Sequence, residues 1–339
     1  MAGGWTTPAL VAAVSDAGGL GTLAAARVIA AQLRGQIEET RRRTRRPFGV
    51  NFQLAAAAPP EADAHATPEA LVEIRRRLGI AAPVPDPAAE PPVSIADGLA
   101  LALEAKVPII SFALGSPAPW VKSTHAAGAL VMAAATTVAE AEEVAAAGAD
   151  VVVAQGAEAG GHRSTFETGG PAPLPLVGTM ALVPAVVDAV ALPVVAAGGI
   201  MDGRGIAAGL ALGAEAAQLG TRFLLAAEAG TPQSYRRQLL AADETGTVVT
   251  DVFSGRPARG LRNALVRLFE ATGARPLGWP RQAMAALDIY RASLADDGEW
   301  AMLLAGQGLR LARREQPAGE IVRELVAELA AVRDRLATG

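Results

Sequence analysis

The chain holds three histidines, and one of them, His162, follows an apolar run that stops at Gln155-Gly156 and opens into a glycine-rich loop, VVVAQGAEAGGHR over 151–163. Histidine is the side chain whose ordinary pKa lies nearest physiological pH, so at such a place it can move a proton or hold a charge. Gly160 and Gly161 remove two side chains beside it, which lets a flat ligand come close to the backbone. The same residues also fit a flexible surface loop with an incidental histidine.

A second pattern bears on that choice. Leu192–Ile200 (LPVVAAGGI) is an apolar run ending in Gly198-Gly199, and Ala214–Leu224 (AEAAQLGTRFL) is another that ends at Gly220-Thr221. Backbone N–H groups at loops and helix starts point at an anion without needing a cationic side chain. Two glycine-ended strands one βα unit apart make a phosphate cradle, and in (β/α)8 barrels such a cradle sits after strands seven and eight. Ordinary βα-turn glycines are the plainer account of either turn taken alone.

The elements that must position these residues repeat in a βα rhythm. Strands are expected at Gly18–Leu23, Pro47–Leu54, Val107–Leu114, Ala129–Ala135, Asp150–Gln155, Pro193–Ala197 and Ala216–Phe223. Thr6–Asp16 reads as a helix with Thr6 or Thr7 as its cap, and Val28–Arg45 and Pro68–Leu78 as two more. Residues 55–67 read as a low-complexity loop and 81–93 as a proline-rich excursion. That makes seven strands where a closed barrel has eight. With the cradle after the last two, the absent strand is the first, and an open seam there would invite association, so a homodimer is expected. After Leu224 the rhythm changes to helices at Thr231–Ala242, Leu261–Thr272, Arg281–Leu294, Glu299–Arg314 and Glu320–Leu336. The expected architecture is an α/β (β/α)8 TIM barrel lacking its first strand over 1–224. A smaller helical cap over 225–304 and C-terminal helices over 305–339, packing back on the barrel, complete it.

Composition narrows the function classes. About half of the 339 residues are apolar (51%), which fits a globular fold and not a disordered chain. A formal charge of −4, with both signs scattered, argues against nucleic acid as a partner. There are no cysteines, so disulfides, zinc-thiolate sites and a cysteine nucleophile are excluded. No histidine–carboxylate cluster has metal-ligand spacing. No basic-then-apolar leader opens the chain and no apolar run has membrane-spanning length, so a cytoplasmic protein is expected. Lysine occurs only as Lys106 and Lys122 beside many arginines, which reads as genomic bias.

The segments MAGGWTTPALVAAVSDAGGLGTL, GVNFQL, AQGAEAGGHR, PVVAAGGIMDGRGIAAGLALGAEAAQLGTRFL, SGRPARGLRN and AGQG, in that order, resemble the nitronate monooxygenase family, once called 2-nitropropane dioxygenases. The resemblance implies an FMN-binding barrel that oxidises alkyl nitronates, such as propionate 3-nitronate, with O₂ to a carbonyl compound and nitrite. It implies that Gly198, Gly199, Gly220 and Thr221 hold the FMN phosphate. Asn51 and Gln155 would meet the ring edge, Gly160 and Gly161 would line the ring, and Lys122 is a further contact. His162 would be the catalytic residue, as a base toward a neutral nitroalkane or as a partly protonated group that orients a nitronate. Ser254, Arg256 and Gln307 are placed near the flavin by the same motifs, while His65 and His125 are left as surface residues. The family's first strand is missing here, and Arg163-Ser164 stands where the family often has Arg-Gly.

Three other readings remain. An FMN-dependent NAD(P)H:quinone reductase or enoyl-acyl-carrier-protein reductase would use the same scaffold. A barrel of the inosine-monophosphate-dehydrogenase kind shares the cradle but needs the cysteine this chain lacks. A truncated, non-catalytic barrel is the third.

Overall fold

The computed structural model describes residues 4–55, 67–81, 90–168, 173–312 and 314–338. Its centre is a curled parallel sheet of seven strands: β1 (Gly21–Ala24), β2 (Phe48–Gln53), β3 (Ile109–Ala113), β4 (Leu130–Ala135), β5 (Val151–Gln155), β7 (Val194–Ala197) and β8 (Ala216–Gln218). The two-residue strand β6 (Gly161–His162) lies between β5 and β7 in the chain and belongs to another sheet. All seven expected strands are present, in chain order across the sheet. Among the described residues no further strand pairs with β1 or β8 at its edges. The last run is shorter than its apolar pattern predicts, because Thr221–Leu225 turns into a 3-10 helix directly after Gly220.

Alternation along the strands decides which residues face the barrel interior. Phe48, Val50 and Phe52 of β2 join Val152 and Ala154 of β5 in the main core, with Leu33 and Leu99 of the outer helices. The intervening residues, among them Asn51 and Gln155, therefore face the other way, into the lumen at the carboxyl ends of their strands. That is where barrel enzymes build their sites.

The helices follow from local signals. In α1 (Pro8–Asp16) the Thr7 hydroxyl accepts the Leu10 N–H at 3.0 Å and Pro8 opens the first turn. The outer layer continues with α2 (Ala30–Arg43), then α3 (Glu69–Leu78), α4 (Ile95–Glu104), α5 (Ala118–Ala126), α6 (Val138–Ala146), α7 (Thr179–Ala189) and α8 (Gly203–Ala211). The second region contains α9 (Gln233–Ala241), α10 (Ala264–Thr272), α11 (Arg281–Ala285) and α12 (Leu287–Ala295). The long α13 (Ala318–Thr338) closes the chain and packs on α8 and α1. Its Glu328 carboxylate accepts the Gly203 N–H at 2.7 Å, and a Cβ on Gly203 would lie 2.3 Å from the Leu329 nitrogen. Only glycine lets α13 lie this close to the start of α8.

The second region matches one expectation and departs from another. It is mostly helical, as expected, with one short ladder: β9 (Thr247–Thr250) and β10 (Ala258–Leu261) pair antiparallel, and β10 also pairs with β6. The expected helix over Glu299–Arg314 is absent: among the described residues there the chain is irregular, with one 3-10 turn at Gln307–Leu311. Helix α3, which precedes most of the barrel in sequence, packs against α10 and α12. Arg75 fixes it, with Nε and Nη2 donating to the two Asp288 oxygens at 2.7 and 3.0 Å. Most of the low-complexity loop, with His65, and most of the proline-rich stretch lie outside the described residues.

Candidate active site

His162 sits at the junction of the two regions. The pattern places it in a loop; the structure places it in β6, where its partner across the ladder is Ala258. Pairing with β10 carries the SGRPARG segment over the barrel mouth. His162 Nε2 lies 2.8 Å from Ser254 Oγ, a fully buried hydroxyl. The Trp279 ring meets the imidazole edge-on, with centroids 4.8 Å apart. Trp279 can reach it because Gly255 adopts φ +84°, and any Cβ there would lie 2.2 Å from the Leu277 carbonyl oxygen. Arg27, from the turn after β1, also meets this ring, its guanidinium carbon 5.9 Å from the centroid.

The electrostatics of this cluster are positive. Arg163, Arg256 and Arg259 are buried and spend donors on carbonyls: Arg163 on Gly156 at 2.9 Å, Arg256 on Thr165, Arg259 on Ala157 at 2.8 Å. Among the described residues none of the three has an acidic side chain at ion-pair distance. Burial lowers all three pKa values, that of Arg163 to about 10, yet they remain cations at neutral pH. Burial first, then the charges of Arg27 and Arg256, hold His162 down at about 3. The imidazole is therefore neutral near pH 7, in place of the partly protonated group expected from the sequence. The fixed positive charge comes from guanidinium groups.

Gln155, facing the lumen at the end of β5, ties this loop down. Its Nε2 donates to the His162 carbonyl at 3.2 Å, and its Oε1 accepts from Ser164 N at 2.8 Å and Arg163 Nη1 at 3.2 Å. One amide hydrogen is left for a ligand. Asn51 donates to Ser111 Oγ at 3.1 Å and to the Ser111 carbonyl at 3.3 Å.

The glycines divide by role. Gly161 has φ +85° and open space where a Cβ would stand. Gly160 instead packs against backbone: its Cβ would lie 2.5 Å from the Gly306 nitrogen. Gly198 (φ +117°) and Gly199 (φ +70°) turn the chain after β7. The N–H groups of Gly198, Gly199, Gly220 and Thr221 meet no acceptor among the described residues. Thr221 Oγ1 accepts the Gly306 N–H at 2.9 Å, which leaves its own proton to donate. Glu158, by contrast, caps α7 through Thr179 N at 2.8 Å, so that helix start already has its anion.

The other sequence candidates are placed as follows. Ser254 and Arg256 lie beneath His162. Gln307 is exposed and donates its backbone N–H to the Glu158 carbonyl at 2.9 Å. Lys122 stands exposed on α5, with no hydrogen bond to the cluster among the described residues. His125 lies near the end of that helix, paired with Asp150 at 2.9 Å. The sequence pattern alone does not single out Arg27 or Trp279. Their only local signals are a charged residue just past a strand and one of four tryptophans, in a Gly-Trp-Pro turn.

The nitronate monooxygenase profile matches residues 1–328. The chain belongs to the nitronate monooxygenase family. It is 43% identical to a nitronate monooxygenase of Pseudomonas aeruginosa, covering 96% of this chain and 93% of that protein. A probable nitronate monooxygenase of Staphylococcus haemolyticus is 37% identical, with coverages of 96% and 91%. Among solved structures, a nitroalkane oxidase from Streptomyces ansochromogenes superposes with TM-score 0.90 at 40% identity, over 99% of this chain and 95% of that one. FabK from Thermotoga maritima superposes with TM-score 0.75 at 32% identity, over 98% and 92%. Family and fold agree: the chain is an oxidoreductase on a TIM-barrel scaffold. Among the described residues no helix is long and apolar enough to cross a membrane.

Proposed function

We propose that this protein binds FMN and oxidises alkyl nitronates with O₂ to a carbonyl compound and nitrite. The observation that carries the reading is a neutral His162 among fixed guanidinium charges. A good general base has a pKa near the working pH. An imidazole held at about 3 is a weak one, so the site suits a substrate that has already lost its α-proton and arrives as an anion. The relatives named nitronate monooxygenase support the same class.

The residues present fit FMN. The unpaired N–H groups of Gly198, Gly199, Gly220 and Thr221, with the Thr221 hydroxyl, suit its phosphate. Asn51 and Gln155 face the lumen where a ring edge would lie, and the open space at Gly161 leaves room for its face. When bound, the flavin supplies the electron transfer, and the protein supplies position and charge. His162 orients the nitronate as a neutral hydrogen-bonding group. Residues 1–224 serve as the cofactor unit and 225–304 as its cover, with 305–339 returning to the barrel.

The test is anaerobic mixing of FMN-loaded protein with propionate 3-nitronate and, separately, with NADH, following the flavin spectrum. Bleaching by the nitronate alone, and nitrite on admitting air, is the expected result. Bleaching by NADH alone would overturn it in favour of a reductase.

A further inference from the structure

The turn after β1 holds Arg27 at φ +59°, in the left-handed region that residues other than glycine seldom occupy. That turn delivers the guanidinium to the Trp279 ring, 5.9 Å from its centroid, while His162 meets the same indole edge-on. Arg27 is exposed and, among the described residues, makes neither an ion pair nor a hydrogen bond. It differs in this from Arg163, Arg256 and Arg259, whose donors are committed to carbonyls. Contact with an aromatic face orients a guanidinium without using its N–H groups. The donors of Arg27 are therefore free, and their planar fork matches a carboxylate.

We propose that Arg27 is the specificity-determining residue of this site, binding a carboxylate that the substrate carries at the end away from its reacting carbon. The inference rests on the nitronate reading and names which nitronates the site prefers. Arg27 and His162 both border the Trp279 ring, so a short chain whose nitronate end lies near the imidazole can bring its other end to the guanidinium. Trp279 is the wall along which the chain lies. Lysine would supply the charge without the fork, so it is not an equivalent replacement.

The experiment uses FMN-loaded wild type, R27A and R27K with two nitronates of equal chain length, propionate 3-nitronate and propyl-1-nitronate. Wild type is expected to favour the carboxylated one in kcat/KM. In R27A that preference falls about tenfold or more, carried by KM, as loss of a charge-assisted bidentate contact predicts. R27K is expected to fall between the two. A preference unchanged in R27A, or absent from wild type, would overturn the proposal. A second readout does not depend on turnover: binding of 3-nitropropionate, followed anaerobically by tryptophan fluorescence, weakens in R27A by a similar factor. If wild type oxidises neither nitronate, the oxidation reading fails, and the binding comparison alone decides for or against Arg27.

Discussion

Ser254 Oγ lies 2.8 Å from His162 Nε2, although the two residues are 92 positions apart and belong to different parts of the fold. The same hydroxyl lies 3.3 Å from the Arg256 carbonyl, so it can donate to only one of the two partners at a time. Which way it points fixes which imidazole nitrogen carries the proton. On the proposed reading, Ser254 positions the imidazole of His162. S254A is expected to slow reduction of the flavin by nitronate about tenfold, the usual scale for orphaning a polar group. S254T keeps the hydroxyl and is expected to retain most of the rate. Equal losses in the two variants would show that packing matters there and the hydroxyl does not.

The depressed pKa of His162 has a signed consequence for stability. Unfolded, the residue titrates near 6.5; folded, it stays neutral down to about 3. Between those values the unfolded chain binds a proton that the folded chain refuses, so stability is fully present above pH 6.5 and falls as pH drops through the window. The melting temperature of wild type should therefore decline more steeply from about pH 7 to about pH 4.5 than that of H162N, which has nothing to titrate there. Parallel curves would mean that His162 titrates normally. On the same ground, kcat should show no inflection between about pH 6 and 8 that H162N removes.

Gly160 and Gly161 are adjacent in sequence and opposite in their demands. A Cβ on Gly160 would meet the Gly306 nitrogen at 2.5 Å and the Ala305 carbonyl carbon at 2.6 Å, both backbone atoms that cannot step aside cheaply. At Gly161 nothing among the described residues stands within 4 Å, and the penalty is the left-handed backbone, about 1–2 kcal/mol. G160A is thus expected to lower the melting temperature well beyond G161A and to reduce flavin content, because the 305–308 backbone also meets Thr221. Thermal unfolding and the flavin-to-protein absorbance ratio check both. A milder effect for G160A would mean that the loop yields.

What the sequence makes legible here is the part of the molecule governed by local pattern. The seven barrel strands are apolar runs closed by turn residues, and the cradle glycines follow from where those runs stop. Local pattern misleads where burial comes from distant partners: Ala305, Gly306 and Leu309 read as helix, yet the backbone there meets Gly160, Glu158 and Thr221. The pairing of β6 with β10 is equally invisible, since two residues carry no period. Trp279 and Arg27 meet only because Gly255 admits the 277–279 backbone, a relation between positions far apart in the chain. His162, flagged by its neighbours, lies at the mouth of the barrel as they suggest, but its charge state depends on Arg27 and Arg256, which the loop does not contain.

On the proposed reading, Thr221 would meet the FMN phosphate and no other part of the cofactor. Its Oγ1 accepts the Gly306 N–H at 2.9 Å, and among the described residues its proton has no acceptor, so it could donate to an anion that the Gly220 and Thr221 amides would hold. T221V removes the acceptor and the donor while nearly keeping the shape; T221S keeps both. T221V is expected to weaken FMN binding about tenfold, the scale of one hydrogen bond to a charged group. Riboflavin has no phosphate and should bind wild type and T221V more nearly alike. Titrating deflavinated protein with each ligand, following flavin fluorescence, measures the two effects separately. Equal weakening for riboflavin and FMN would show that the valine disturbs the 306 backbone instead, and would move the phosphate contact to the amides alone.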